Sequence, residues 1–254
     1  MMTNKLKYFI GNWKMFGDFS SLEIIKRINN FCLKFRKKNK NSKVILCVPN
    51  ILINFFKSKL NSNIISIGAQ NCSHNKNYGP FTGSVSALML KKSGANFVIL
   101  GHSENRFEGE SNKLIMQKIE NALEANLKVI FCIGETQKQK NKGQTFAVIS
   151  NQLKKSIKKS FDKNKIIIAY EPVWSIGSGK IPKKSELIKI FKFIKNIYKK
   201  LFKTKKYPKV LYGGSVNNKN ISLFSKISEI DGFLIGGASQ SSKKFIDIIK
   251  KYYK

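Results

Sequence analysis

A few chemically useful side chains stand just beyond short apolar runs of this chain. Asn12 and Lys14 follow Tyr8–Ile10, His102 follows Phe97–Leu100, and Glu171 follows Ile166–Ala169. Gly213-Gly214-Ser215 follows Val210–Tyr212, and Gly236-Gly237 follows Gly232–Ile235. These types make a workable set. A carboxylate can carry a proton, an imidazole can give or take one near neutral pH, and an ammonium supplies fixed positive charge. Glycine turns let backbone N–H groups come close to an anion, and a following helix N-terminus adds a favourable dipole.

Glu171 precedes Pro172, Val173 and Trp174, and then a glycine-bearing stretch, Ser175-Ile176-Gly177-Ser178-Gly179-Lys180. That order suggests a base beneath a lid. Closure would exclude water and leave the carboxylate less solvated and more basic. The plainer reading is a loop salt bridge. His102 is one of two histidines and sits in Leu100-Gly101-His102-Ser103-Glu104; its place at a strand end beside a phosphate-type site favours chemistry over structure. His74, in the polar loop Asn71–Asn75, keeps the structural reading. Glu104 is placed to pair with Lys14 and position it, the alternative being an ordinary surface pair. One glycine pair would read as a tight turn; two, with the Ser215 hydroxyl, favour a phosphate grip.

The elements that must hold these groups are legible in outline. Strand candidates are Tyr8–Ile10, Val44–Val48, Ile64–Ile67, Phe97–Leu100, Val129–Ile133, Ile166–Ala169, Val210–Tyr212 and Gly232–Ile235, mostly continuous apolar runs. Strands of a parallel sheet covered on both faces read this way. Between them, Leu187, Ile190, Phe191, Ile194, Tyr198 and Leu201 repeat at helical spacing, with Lys192, Lys195 and Lys199 on another face, read as solvated. Phe245, Ile248, Ile249 and Tyr252 repeat the pattern near the C-terminus. Strand then helix, repeated through the chain, allows an open doubly wound sheet or a closed barrel. The first strand–helix turn carries no GxGxxG, which weakens a dinucleotide-binding sheet. No linker-like composition break appears. The expectation is an α/β chain forming a single closed (β/α)8 barrel over residues 1–254, with the strand-end groups converging on one rim.

The charge is unusual: 48 Lys plus Arg against 14 Asp plus Glu, for a net +34. Only Arg27, Arg36 and Arg106 are arginines, a poor balance for bidentate readout of bases. The excess is spread along the chain, with abundant Ile and Asn, so it reads as compositional drift, compatible with weak, salt-sensitive adhesion to polyanions. No specific nucleic-acid partner is expected. Cys32, Cys47, Cys72 and Cys132 form no CxxC pair and no metal-ligand spacing, and are read as reduced. Met1–Phe16 lacks a signal-peptide core, and lysines interrupt every apolar run well short of a membrane span, so an unexported, cytoplasmic protein is expected.

Along essentially its whole length the chain resembles the triosephosphate isomerases. The resemblance rests on Gly11-Asn12-Trp13-Lys14-Met15, Gly101-His102-Ser103-Glu104, Cys132-Ile133-Gly134-Glu135-Thr136, Ala169-Tyr170-Glu171-Pro172-Val173-Trp174, Tyr212-Gly213-Gly214-Ser215-Val216 and Asp231 through Ser239. It implies a TIM barrel that interconverts dihydroxyacetone phosphate and D-glyceraldehyde 3-phosphate in glycolysis and gluconeogenesis, with no metal and no organic cofactor. Glu171 matches the family's base, His102 its electrophile, and Lys14 and Asn12 the groups that favour the anionic substrate. Gly177, Ser215, Gly236 and Gly237 match backbone phosphate contacts. A glutamate base, neutral histidine and water-excluding loop are this family's known arrangement rather than anything spacing reveals. The resemblance also implies a homodimer, through a loop matching Gln70–Gly83. Asn105 and Ser84 replace the charged residues usual there, and the hinge Lys180-Ile181-Pro182-Lys183 departs from the commonest pattern. Another phosphosugar isomerase or epimerase on the same barrel, or a basic polyanion-binding barrel, are the alternatives.

Overall fold

In the computed structural model, residues 6–36, 41–60 and 64–254 are described. Eight parallel strands close into a barrel in sequence order: β1 (Lys7–Asn12), β2 (Ser42–Cys47), β3 (Ile65–Ala69), β4 (Phe97–Leu100), β5 (Lys128–Ile133), β6 (Ile166–Tyr170), β7 (Lys209–Tyr212) and β8 (Gly232–Ile235). β1 pairs with β2 on one side and with β8 on the other, Tyr8 lying opposite Gly232 and Gly11 opposite Ile235. The helices α1 (Leu22–Arg36), α2 (Asn50–Ser58), α3 (Ala87–Lys92), α4 (Ser103–Phe107), α5 (Asn112–Glu124), α6 (Gln137–Asn141), α7 (Thr145–Ser156), α8 (Lys184–Phe202), α9 (Ile221–Ser225) and α10 (Ser242–Tyr252) lie between the strands or follow the last. Every strand expected from the sequence is present, with ends shifted by a residue or two.

Alternation along the strands divides the apolar residues into two bodies. Ile10, Ile45, Cys47, Phe97, Ile99, Ile130, Cys132, Ile167, Ala169, Leu211 and Leu234 fill the barrel interior. Phe9, Val44, Leu46, Val98, Leu100, Phe131, Ile168, Tyr170 and Phe233 face outward, into a larger core shared with the helices. Both strand faces are therefore covered, which is why the strands read as unbroken apolar runs. Leu187, Ile190, Phe191, Ile194 and Tyr198 are the buried face of α8.

One lysine face departs from expectation. Lys192 on α8 is well exposed, but Lys195 is not: its side chain is 14% exposed, 2.9 Å from Asp231 Oδ2, and donates to Glu229 O. Lys199 Nζ lies 4.4 Å from the centre of the Tyr207 ring. Aliphatic stems let lysines cover apolar surface while the ammonium finds an anion or an aromatic face, so helical spacing alone did not separate these from solvated lysines.

Ile130, fully buried inside the barrel, should be costly to truncate. Ile130→Ala is expected to lower stability by about 2–5 kcal/mol, whereas Leu223→Ala on exposed α9 should stay within about 0.5 kcal/mol of the parent; urea unfolding of both variants checks this.

Candidate active site

The inward face of each strand continues one step past its end. Ile10 points into the barrel and Asn12 follows two residues on; Ile167 and Ala169 lead to Glu171, Leu211 to Gly213, and Leu234 to Gly236. These residues line one cavity of about 420 Å³, together with Lys14, His102, Gly177, Ser215 and Gly237. A side-chain Cβ at Gly237 would meet nothing within 4 Å, so backbone amide lies open to the cavity there. Eight of the nine residues singled out from the sequence border this space. The ninth, Glu104, borders the adjoining hollow and reaches Lys14.

Lys14 sits in a left-handed backbone conformation, φ 57°, sparsely populated by residues with a Cβ. Its neighbours hold it there. Trp13 N donates to Cys47 O, Gln240 Nε2 donates to Trp13 O at 2.9 Å, and Lys14 N donates to Asn12 Oδ1 at 3.3 Å. The Lys14 ammonium is 2.5 Å from Glu104 Oε1. That contact aims it across the cavity mouth rather than into water.

Gly101 takes φ 71°, turning the chain off β4 so that His102 becomes the N-cap of α4. Its Nδ1 accepts from Glu104 N at 3.3 Å. A nitrogen accepting a backbone N–H carries no proton, so the ring's other nitrogen, Nε2, is the one available to donate. Nε2 lies 3.3 Å from Glu171 Oε1, and Glu171 Oε2 accepts from Ser103 N at 3.3 Å. The Glu171 side chain is 3% exposed. Its carboxylate rests on an imidazole N–H and a backbone N–H, with the Cys132 thiol also beside it; burial first, then Glu171, pushes that thiol well above its ordinary pKa.

The segment after Glu171 is seated by the segment after β5. Glu171 N donates to Ile133 O at 2.7 Å and Val173 N to Glu135 O at 3.1 Å. A Cβ on Gly134 would lie 1.8 Å from Glu171 O, so only glycine permits this approach. Fully buried Glu135 accepts from the Tyr170 hydroxyl at 3.1 Å and from Trp174 Nε1 at 2.9 Å. Burial raises its pKa, and the Trp174 and Tyr170 hydrogen bonds work against that. The sequence motif that contains Glu135 gives it no task, and the sequence gives none to Ser175 or Tyr212. Ser175 Oγ donates to Lys180 O at 2.6 Å and lies 3.0 Å from the Tyr212 hydroxyl, tying the ends of the 175–180 stretch to β7. Among the described residues no three His, Cys, Asp or Glu side chains gather as a metal set. His74 stands exposed in its loop.

A buried carboxylate in contact with an imidazole, beside a glycine-lined, lysine-flanked cavity, is an arrangement chemically able to move protons next to a bound anion. The triosephosphate isomerase family model matches residues 7–252. The chain belongs to the triosephosphate isomerase family. The triosephosphate isomerase of Zygosaccharomyces bailii is 40% identical over 247 residues, covering 95% of this chain and 97% of that one. That of Neurospora crassa is 38% identical over 248 residues, covering 96% and 97%. The crystal structure of triosephosphate isomerase from Bartonella henselae superposes with a TM-score of 0.88 at 33% identity, covering 98% of this chain and 99% of that one.

Within this triosephosphate isomerase fold, removing Glu135 strands two buried donors. Glu135→Ala should destabilise by about 1–3 kcal/mol and lower turnover by loosening Trp174; urea unfolding with parallel kinetics tests both, and unchanged values in each would show that Glu135 does not hold Trp174 in place.

Proposed function

We propose that this chain interconverts dihydroxyacetone phosphate and D-glyceraldehyde 3-phosphate, with Glu171 moving a proton between neighbouring carbons of the bound triose. The observation that carries the reading is the Glu171–His102 pairing at 3.3 Å inside the glycine-lined cavity. A carboxylate held between Ser103 N and His102 Nε2 is oriented and shielded, yet both contacts are long enough to be surrendered to a ligand. Glu171 takes the proton from one carbon, leaving an enediolate, and returns it to the adjacent carbon. His102, donating through Nε2, polarises the carbonyl and relays protons between the two oxygens. Lys14 and Asn12 set a positive, hydrogen-bonding wall against the developing charge, and Glu104 keeps Lys14 in place. Backbone at Gly177, Ser215, Gly236 and Gly237 takes the phosphate. The family's chemistry runs on these side chains with no cofactor, and that economy is carried over to this chain as one catalytic domain over 1–254.

The active form is proposed to be a homodimer formed through the Gln70–Gly83 loop. Tyr78 and Phe81 in that loop are exposed, and Met15, next to Lys14, is fully so. A hollow of about 250 Å³ lined by Met15, Gln70, Asn71 and Asn105 opens beside Lys14. Insertion of a partner's loop there would cover apolar surface and brace Lys14 at once. With Asn105 and Ser84 neutral, this interface leans less on ion pairs and should resist salt. Among the described residues no helix is long and apolar enough to cross a membrane, and a cytoplasmic location follows from the proposed glycolytic role.

A coupled assay with glyceraldehyde 3-phosphate on the purified protein, run beside Glu171→Gln, tests the function directly; equal turnover of the two would overturn it. Glu171→Asp retracts the carboxylate by about 1 Å and should cost on the order of 10²-fold in kcat with a much smaller change in KM. Sedimentation equilibrium is expected to give a dimer whose mass holds between low and high salt, with a monomer at all concentrations refuting the interface.

A further inference from the structure

The upper mouth of the barrel uses the strand-end groups described above; the lower mouth carries a different set. Following the inward face downwards by steps of two, Ile10 leads to Tyr8, Ile45 to Lys43, Ile99 to Phe97, Ile130 to Lys128 and Leu211 to Lys209. The pairing places these at one level, with Tyr8 opposite Lys43, Phe97 opposite Lys128 and Ile167 opposite Lys209. Barrel layers are usually filled by branched apolar side chains. Here three of the inward positions are lysines. Lys43 Nζ and Lys128 Nζ approach the same Phe97 ring, at 5.3 and 5.9 Å from its centre. Lys209 is 3.8 Å from Asp231 Oδ1, but Lys195 holds the same carboxylate at 2.9 Å.

A hollow of about 190 Å³ opens at this mouth, bordered by Tyr8, Lys128, Lys163, Lys206, Tyr207 and Lys209, and no Asp or Glu lines it. Tyr207 is 58% exposed and separates it from a second hollow bordered by Lys192 and Lys195. This is what distinguishes the mouth from the general basic surface. Lysines on outer helix faces diverge into water, whereas these converge on a concavity whose low-dielectric walls focus their field. Lysine acts as a point charge for phosphate, and no arginine borders the hollow to read a planar base edge. A single phosphate would engage only part of so many ammonium groups; a short chain of linked phosphates matches both their number and the space.

We propose that the lower mouth of the barrel binds a compact oligophosphate, either free or as the phosphate tail of a nucleotide whose base rests on Tyr207. The site lies at the opposite end of the barrel from Glu171 and is independent of the triose site.

The test is calorimetric titration of the full-length protein with inorganic tripolyphosphate and with a nucleoside triphosphate, at physiological salt. Lys128→Glu/Lys163→Glu is the test variant, and Arg27→Glu places the same kind of reversal on an exposed position of α1. Saturable one-to-one binding is expected, weakened at least about tenfold by the paired reversal and little by Arg27→Glu, with the KM for triose phosphate unchanged by the bound anion. Tighter binding of the nucleotide, reduced to the tripolyphosphate level by Tyr207→Ala, would equally support the site and identify its source. Equal weakening per reversed charge at both locations would overturn it as diffuse attraction, as would competitive inhibition of the isomerase, which would put the anion in the triose cavity. A stronger, length-dependent preference for an RNA oligomer would also overturn it. Isomerase turnover of the unliganded variants is read separately, so failure of the lower site leaves the proposed function untouched.

Discussion

Pairing of β1 with β8 closes the sheet, and closure converts a period of two along each strand into convergence across the molecule. In an open sheet the residues two positions beyond Ile10 would share a face with those beyond Ala169 yet stand far from them. In the closed barrel they share a cavity. Ile, Cys, Phe, Ala and Leu fill the interior, so the polar groups described above gather at its two ends. A small residue permits the closure where backbones crowd: a Cβ on Gly232 would lie 2.2 Å from Tyr8 O across the β1–β8 seam. Loosening the inner body therefore reaches the active site through the strand ends, without touching a catalytic side chain.

That closure also sets the electrostatics of the upper mouth. Glu171 is buried against an apolar interior, where an unpaired carboxylate would be costly. The hydrogen bonds from Ser103 N and His102 Nε2 offset this while the cavity is empty. Both donors belong to the start of α4, and the capping geometry that leaves Nδ1 as acceptor also orients Nε2. Lys14, at the opposite rim, is tethered to Glu104 from the same helix. One short helix thus orients the carboxylate, the imidazole and the ammonium.

The polar set was legible in the sequence because each member is a type that an apolar strand does not supply: Asn12, Lys14, His102, Glu171 and the glycine turns all interrupt hydrophobic runs. Their common cavity was not visible in spacing; it needed the barrel, which motif resemblance favoured over an open sheet. Glu135, Ser175 and Tyr212 make contacts that are not legible in the sequence, for a physical reason. Their roles are contacts with segments remote in sequence, and an ordinary Glu, Ser or Tyr after a strand gives no sign of such a partner. The lysines misled in the other direction. Lys195 and Lys199 have the spacing of a solvated face, while Lys43, Lys128 and Lys209 have the alternation of a barrel interior that a lysine-rich composition hides.

The 175–180 stretch is tied at both ends and at its centre, where Ser178 Oγ donates to Trp174 O at 3.0 Å and accepts from Lys180 N at 3.2 Å. Trp174 is fixed by Glu135 and covered by Lys140, whose ammonium lies 3.4 Å from the ring centre and 3.1 Å from Glu186 on α8. Ser175 Oγ spends its proton on Lys180 O and accepts from Ser215 N at 3.4 Å. Between these anchors Gly177 and Gly179 adopt φ of 67° and 75°, backbone that glycine takes up without the clash a Cβ would bring. Ser215 N is also one of the amides proposed to take the phosphate. A phosphate bound there would compete with Ser175 for the same hydrogen, and the long 3.4 Å contact is the weaker claim. The Ser175 hydroxyl thus stands between Ser215 N and Lys180 O, tying the segment after β7 to the end of the 175–180 stretch through one side chain.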